Sequence, residues 1–323
     1  MTFLPLVFHP NYSIPFSEKH RFPMAKFAQL EEELVRSKIL TSNNVFSPSP
    51  LSLSTLMQAH EADYVQRFIR GQLTQAEINT IGLPWSDWLV ERTLRAVSGT
   101  LLTAELALQH GVACHLAGGT HHAHRGYGSG FCIFNDLAVT AIELVESGKA
   151  KHVLILDCDV HQGDGTAEMC AAYENITTVS WHCDENYPEL KQSAGINIAL
   201  AKGLGDSGYL QQIKQDIPAL LDRLQPDVVL YDAGVDVHKD DRLGYLQLTD
   251  MGIWQRDQFV VAECLKRRIP TACVIGGGYD RDIKKLAIRH SILHKAIYYL
   301  LQSNGMLCMP SNEELDFLRL SSL

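Results

Sequence analysis

The sequence predicts an α/β protein: a single-domain, doubly wound and mostly parallel sheet with helices on both faces. Three observations carry that expectation. From residue 113 onward short apolar runs alternate with segments of helical period. Those runs are nearly continuous in hydrophobicity, as strands buried on both faces require. No internal repeat, low-complexity tract or linker breaks the 323 residues. One domain over 1–323 is expected, with a largely helical start, 1–110, packed on the same core.

Taken in order, residues 4–8 are a short apolar run of strand type. Residues 24–40 carry apolar side chains at helical spacing, and 43–50 form a polar loop containing prolines. Pro84 leads into a long helical stretch over 85–110 that stops at Gly111. Strands are then expected at 113–116, 153–156, 176–182, 228–231 and 271–275. Helices are expected between and after them at 135–146, 166–172, 206–224, 249–268 and 283–301, where apolar residues recur at helical spacing. The tail after Gly305, 306–323, contains Pro310 and Ser311 and is expected to be loosely held.

Composition excludes several classes of function. Hydrophobic residues make up 46% and charged residues 20%, which argues against disorder. With 28 Lys+Arg against 37 Asp+Glu the net charge is −9, and no basic run offers a stripe for phosphates, so no direct nucleic-acid binding is expected. No apolar stretch is long enough for a membrane span, and the opening MTFLPLVFHP lacks the charge pattern of a secretory signal, so a soluble, cytoplasmic protein is expected. The eight cysteines (114, 132, 158, 170, 183, 264, 273 and 308) form no C-x-x-C pair and read as reduced, packed thiols.

The chemistry lies just after the strands, where open parallel sheets bind ligands. GGTHHAHRGYGSGF (118–131), LDCDVHQGDG (156–165), YDAGVD (231–236) and GGGYD (276–280) bring His, Asp and Tyr to one edge. Asp159 and His161 stand two residues apart and can share one cation, with Asp157 on the same side. Asp236 is the best third ligand, and a set of two carboxylates and one imidazole suits zinc or another divalent transition metal. Burying so many carboxylates without a cation would be costly. His121 and His122 can divide proton work if Asp157 and Asp164 hold them, one taking a proton from the attacking water and one serving the leaving group. The phenol of Tyr279 can donate to a developing oxyanion. His110, His115 and His124 have no such company and read as structural or solvated. Cys132 and Cys158 read as packing, because thiolates beside carboxylates are disfavoured. Neither the Walker pattern nor G-x-G-x-x-G nor G-x-S-x-G occurs, which leaves no phosphate loop and no serine nucleophile.

GGTHHA, GFCIFND, LDCDVHQGDGTAE, YDAGVD and GGGYD, in this order, resemble the zinc-dependent histone deacetylase family with its arginase/deacetylase fold. HRFPM, VHQGDGTA, ENYP and the short length look most like its class IV-related branch and the bacterial relatives. The resemblance implies that Asp159, His161 and Asp236 hold Zn²⁺, with Fe²⁺ as the alternative metal in the cell. It implies that His121 and His122 are the paired acid and base, partnered by Asp157 and Asp164, and that Tyr279 polarises the scissile carbonyl. It also implies a structural K⁺ held by Asp157, Ser180 and the carbonyls of Asp159, His161 and Trp181. Gly130, Phe131, Tyr187 and Gly278 are implied to line an acyl-lysine channel.

The expected activity is hydrolysis of N-acyl-lysine amides in proteins or peptides, with small acetylated amines as an alternative substrate class. A two-metal amidinohydrolase and a non-catalytic acyl-lysine reader are the less favoured alternatives. Where many deacetylases carry an acidic loop residue that grips the substrate backbone, this chain is read as having Ser98-Gly99-Thr100, small residues that would leave room for long acyl chains.

Overall fold

The structure, a computed structural model, describes residues 3–17 and 19–307. The expected tail beyond 307, with Cys308, Pro310 and Ser311, lies outside the described residues. In chain order the elements are β1 (Leu6–Val7), a 3-10 turn (Pro10–Tyr12), α1 (Lys26–Arg36), β2 (Val45–Phe46), α2 (Leu53–Ala59), α3 (Ala62–Ile69), α4 (Gln75–Ile81) and α5 (Asp87–His110). They continue with β3 (Val112–His115), α6 (Asp136–Glu146), β4 (Val153–Asp157), α7 (Asp164–Cys170), β5 (Ile176–Cys183), β6 (Ile196–Leu200) and α8 (Asp206–Leu224). β7 (Val228–Asp232), α9 (Asp250–Lys266), β8 (Thr271–Val274) and α10 (Ile283–Ser303) complete them.

The eight strands form one sheet in the order β2-β1-β3-β8-β7-β4-β5-β6, with parallel pairing throughout. Every residue of β3, β4, β7 and β8 is buried, so both faces of the sheet centre are covered. The chain lays down β3, skips outward to β4, continues to the edge at β6, and returns to fill the gap with β7 and then β8. That reversal leaves a crevice at the carboxyl ends of the four central strands.

Helix ends follow local chemistry. Ser86 caps α5 by accepting the Leu89 N–H, and Gly111 ends it with φ of 86°. Asn135 caps α6 through the Ala138 N–H, and α7 begins two residues before the expected start, so Asp164 stands in its first turn. α1 ends at Arg36, short of the expected 40, because Lys38 turns to φ 55°. Two strands went unread. β2 falls in the segment expected to be a loop, and β6 is an edge strand whose alternating exposure breaks the apolar run.

Several histidines are buried as neutral rings. The His60 Nε2 accepts the Asn135 N–H at 3.0 Å, and His115 bonds the Tyr12 hydroxyl at 2.7 Å and Thr100 at 3.0 Å. Burial pushes His60 and His294 down to about 4 and His115 to about 3. Such rings stay neutral in the native state while the unfolded chain takes up protons below about 6.5, so their contribution is complete above that pH. It is lost as pH falls toward the folded values, at up to ~1.4 kcal/mol per histidine for each unit. We expect Tm to drop steadily as pH is lowered from about 7 to about 4.5. A Tm that stays flat across that window in thermal unfolding would contradict this account of the core.

Candidate active site

The loops leaving β3, β8, β7 and β4, four neighbouring strands, converge above the crevice. Those after β4 and β7 bring Asp159, His161 and Asp236 together, fully enclosed, with ligand-type atoms within 4.8 Å of one another. The Nδ1 of His161 lies 3.0 Å from Asp159 Oδ1 and 3.1 Å from Asp236 Oδ2. Backbone fixes both carboxylates: Asp159 Oδ2 accepts the Gly277 N–H at 2.7 Å and its Oδ1 the His161 N–H at 2.9 Å, while Asp236 Oδ1 accepts the Val160 N–H at 2.9 Å. A Cβ on Gly277 would strike both carboxylates, so only glycine lets the β8 loop approach them. Burial disfavours charge on the two acids. His121 and His161 nevertheless hold Asp159 well below the usual carboxylate range, while burial and the Asp159 charge push Asp236 up to about 7. Two enclosed carboxylates facing one imidazole form a hard-donor set that a divalent cation fits and relieves.

His121 and His122 follow Gly118 and Gly119, both at positive φ, and their rings lie 4.2 Å apart. Each is anchored through Nδ1, His121 to Asp157 Oδ2 at 2.8 Å and His122 to Asp164 Oδ1 at 2.6 Å. Burial opposes a charge on both rings. Asp157 and Asp159 overcome it at His121, whose pKa stands well above 6.5; His122, next to that cation, falls to about 4 despite Asp164. His124 is not without company, as the sequence suggested, for it bonds Asp164 at 3.2 Å and Glu168 at 3.1 Å and stacks on Tyr127. His115 is buried in the network already described, and His110 is the last residue of α5.

Tyr279 is set by its backbone, whose N–H donates to Asp241 Oδ2 at 2.7 Å. Its ring lies 5.8 Å from Phe131 and 6.5 Å from His161, and burial with Asp236 and Asp159 nearby keeps the phenol neutral. A mouth of about 410 Å³ opens to solvent past Gly130, Phe131, Tyr187 and Tyr279. The ring of Tyr187 stands edge-on to His122 at 4.9 Å, and its hydroxyl bonds Ser129 at 2.5 Å. Gly278, expected on the same wall, is instead packed against Val235 and His290, because the turn that aims Gly277 at the carboxylates directs the next residue behind them. On the inner side lies a cavity of about 50 Å³ lined by His121, Asp159, Tyr279, Lys26 and Arg92.

β4 and β5 pair so that Asp157 stands opposite Ser180, which brings Ser180 and Trp181 beside the 157–161 turn. The Ser180 hydroxyl lies 3.0 Å from His182 Nδ1. A second cluster, His121, Asp157 and Asp232, also groups three possible ligands. As in the first, its imidazole Nδ1 bonds a carboxylate oxygen and the other oxygen of that carboxylate accepts a backbone N–H, that of Asp159; its third member, Asp232, has both oxygens buried with no hydrogen-bond partner among the described residues.

Ser98-Gly99-Thr100 does not form a substrate loop. It lies inside α5, where Gly99 packs on His115 and Tyr12 and Thr100 bonds the Asp136 carboxylate at 2.5 Å. Of the first hundred residues, Arg21 and 79–82 line the mouth and neither supplies an acid, the acid in its lining being Glu185, so the room for long acyl chains inferred from 98–100 disappears. The seven described cysteines are free and buried, and burial pushes Cys132 and Cys158 up to about 12.

Sequence reading missed the residues that hold these groups in place. Asp136 accepts the Gly119 and Thr120 N–H groups and so shapes the histidine loop. Arg256, fully buried, donates to the carbonyls of Cys158, Ala233 and Gly234, tying the β4 loop to the β7 loop, with Asp257 as its counter-charge. Asp136, the last residue of GFCIFND, and Asp241, five residues after Asp236, stand in or beside quoted motifs and so had a sequence signal; Arg256 had none.

A family model described as the histone deacetylase domain matches residues 20–294. An uncharacterized protein of Picosynechococcus sp. is 48% identical over 292 residues, 90% of this chain and 97% of that protein. The acetoin utilization protein AcuC of Staphylococcus aureus is 29% identical across 82% of this chain and 74% of its own length. Histone deacetylase 2 of Arabidopsis thaliana is 25% identical across 86% and 75%. The crystal structure of the HDA15 HD domain superposes with a TM-score of 0.75 at 20% identity, covering 98% of this chain and 94% of that one, a likeness of fold.

Proposed function

Because the chain belongs to the histone deacetylase family of metal-dependent amide hydrolases, we propose that it cleaves N-acyl-lysine amides in proteins or peptides, with a preference for short acyl groups. The observation that carries the reading is that a cluster of three buried ligands, two carboxylate-anchored histidines and one neutral phenol meet between the mouth and the inner cavity, with His122 and Tyr279 lining both. One domain over 1–323 carries the whole site in this reading.

Asp159, His161 and Asp236 hold zinc in this proposal, with iron(II) as the alternative. The metal supplies a Lewis acid that polarises the scissile carbonyl and activates the attacking water. The lysine stem threads the mouth between Phe131 and Tyr187. The phenol of Tyr279 donates to the carbonyl oxygen and stabilises the negative charge that develops there. His121 and His122, each fixed by its own carboxylate, accept the proton of the water and return one to the lysine nitrogen as the C–N bond breaks. A potassium ion at Asp157, Ser180 and the carbonyls of Asp159, His161 and Trp181 would brace the β4 loop, a reading supported by the register of β4 and β5.

With the lysine leaving through the mouth, the acyl tail points inward. The inner cavity of about 50 Å³ has room for roughly three or four water-sized groups. Lys26 and Arg92 line it beside Phe22, Phe27 and Phe131, and two cations facing so small a volume suit a short carboxylate product better than a fatty chain. We therefore expect kcat/KM on an acetyl-lysine peptide to exceed that on the matched myristoyl-lysine peptide by at least about 100-fold, as a clash plus buried charge would impose. Equal or better cleavage of the myristoyl peptide would overturn the acyl-length reading.

A further inference from the structure

Beside the mouth lies a second hollow of about 690 Å³ that the hydrolytic reading does not use. Lys19, Arg21, Arg242 and Arg281 line it, all exposed, above an apolar floor that includes Ile14, Phe16 and Ile283. None of the four cations has a carboxylate within 4.0 Å among the described residues. The one acid described in the lining, Asp280, stands 3.7 Å from Arg289 and accepts the Asp282 N–H. In a chain of net charge −9, four exposed cations around one hollow with one acid described among them make a local excess of positive charge.

The hollow adjoins the active site. Arg21 lines both it and the mouth, Asp280 and Arg281 directly follow Tyr279, and the Arg242 N–H donates to the Tyr279 carbonyl at 3.1 Å. A substrate chain leaving the mouth on this side passes the Arg21 guanidinium. We propose that this cationic pocket seats an acidic side chain of the acylated protein, a few residues from its acyl-lysine. At ~3.3 Å per extended residue, two to four positions bring a side chain from the mouth into the pocket. The apolar floor accommodates the carbon stem of Asp or Glu while the guanidinium groups take the carboxylate, an arrangement less suited to a fully hydrated inorganic anion. The substrate class rests on the hydrolytic reading given above; the pocket's charge preference does not.

The test compares acetyl-lysine peptides that differ only in flanking residues, Asp/Glu or Lys. The zinc-loaded protein should show kcat/KM about tenfold higher for the acidic flank, mostly through KM, and the difference should shrink between about 0.05 and 0.5 M salt. The Lys19→Glu/Arg281→Glu double variant should abolish or invert the preference while keeping kcat on a short neutral acetyl-lysine substrate. Equal kcat/KM for the two flanks overturns the proposal, as does a preference that survives charge reversal, or stimulation by inorganic polyphosphate with no dependence on the flank. Anisotropy of the same peptides, fluorescently labelled, separates this proposal from the hydrolytic one. If no peptide is cleaved, tighter binding of the acidic peptide that the double variant loses still supports the pocket, and equal binding of both peptides overturns it.

Discussion

Tyr279→Phe lowers kcat on an acetyl-lysine peptide by about 100- to 1000-fold, the usual loss when one oxyanion donor is removed. Metal content stays at the wild-type level. The split follows from how the side chain is held. The backbone is anchored by Asp241 and the ring packs near Phe131, and neither contact involves the hydroxyl, so phenylalanine keeps the wall intact. Only the donor is lost. Because burial keeps that phenol protonated, it donates throughout the neutral pH range. Stopped-assay kinetics with metal quantified by mass spectrometry check the point, and a variant with near-normal kcat would reduce Tyr279 to a packing role.

Asp159→Ala removes the bound metal and drops turnover below detection. The carboxylate is one of three ligand groups and also the acceptor of the Gly277 N–H, which holds the β8 loop against the site. Its loss leaves two protein ligands, too few for the usual three-ligand catalytic site, and a buried backbone donor without its partner. Far-UV circular dichroism should show the sheet intact, since the strand register of β4 ends at Asp157. Full metal occupancy in this variant would sink the ligand assignment.

Much of this architecture is written in short-range chemistry. Ser86 and Gly111 delimit α5 because a hydroxyl cap and a left-handed glycine act within one turn. The central strands are legible because burial on both faces makes them uninterrupted apolar runs. β6 is not, since its exposed side carries Asn197 and the small Ala199, which break the apolar run of a five-residue edge strand. Asp157, Asp159 and His161 could be grouped from spacing alone, as neighbours on one turn. Arg256 could not, because it acts through space on backbone groups of loops far along the chain, and a lone Arg in a helix normally reads as solvated surface; Asp136 closes the GFCIFND motif, but the motif does not reveal that its carboxylate accepts from the loop at 119–120. The misplacement of the early substrate loop at 98–100 has a similar origin. Motif order fixes the later loops, whereas the helical start offers only periodicity, and small residues inside a long helix mimic a turn.

The measurement that bears most directly on the central claim couples metal counting to turnover. Purified protein is assayed on an acetyl-lysine peptide before and after chelation, then titrated with zinc. The account predicts one metal per chain, activity abolished by the chelator, and full recovery at one equivalent of zinc. Cleavage that persists in metal-free protein would contradict it, as would a requirement for two metals per chain.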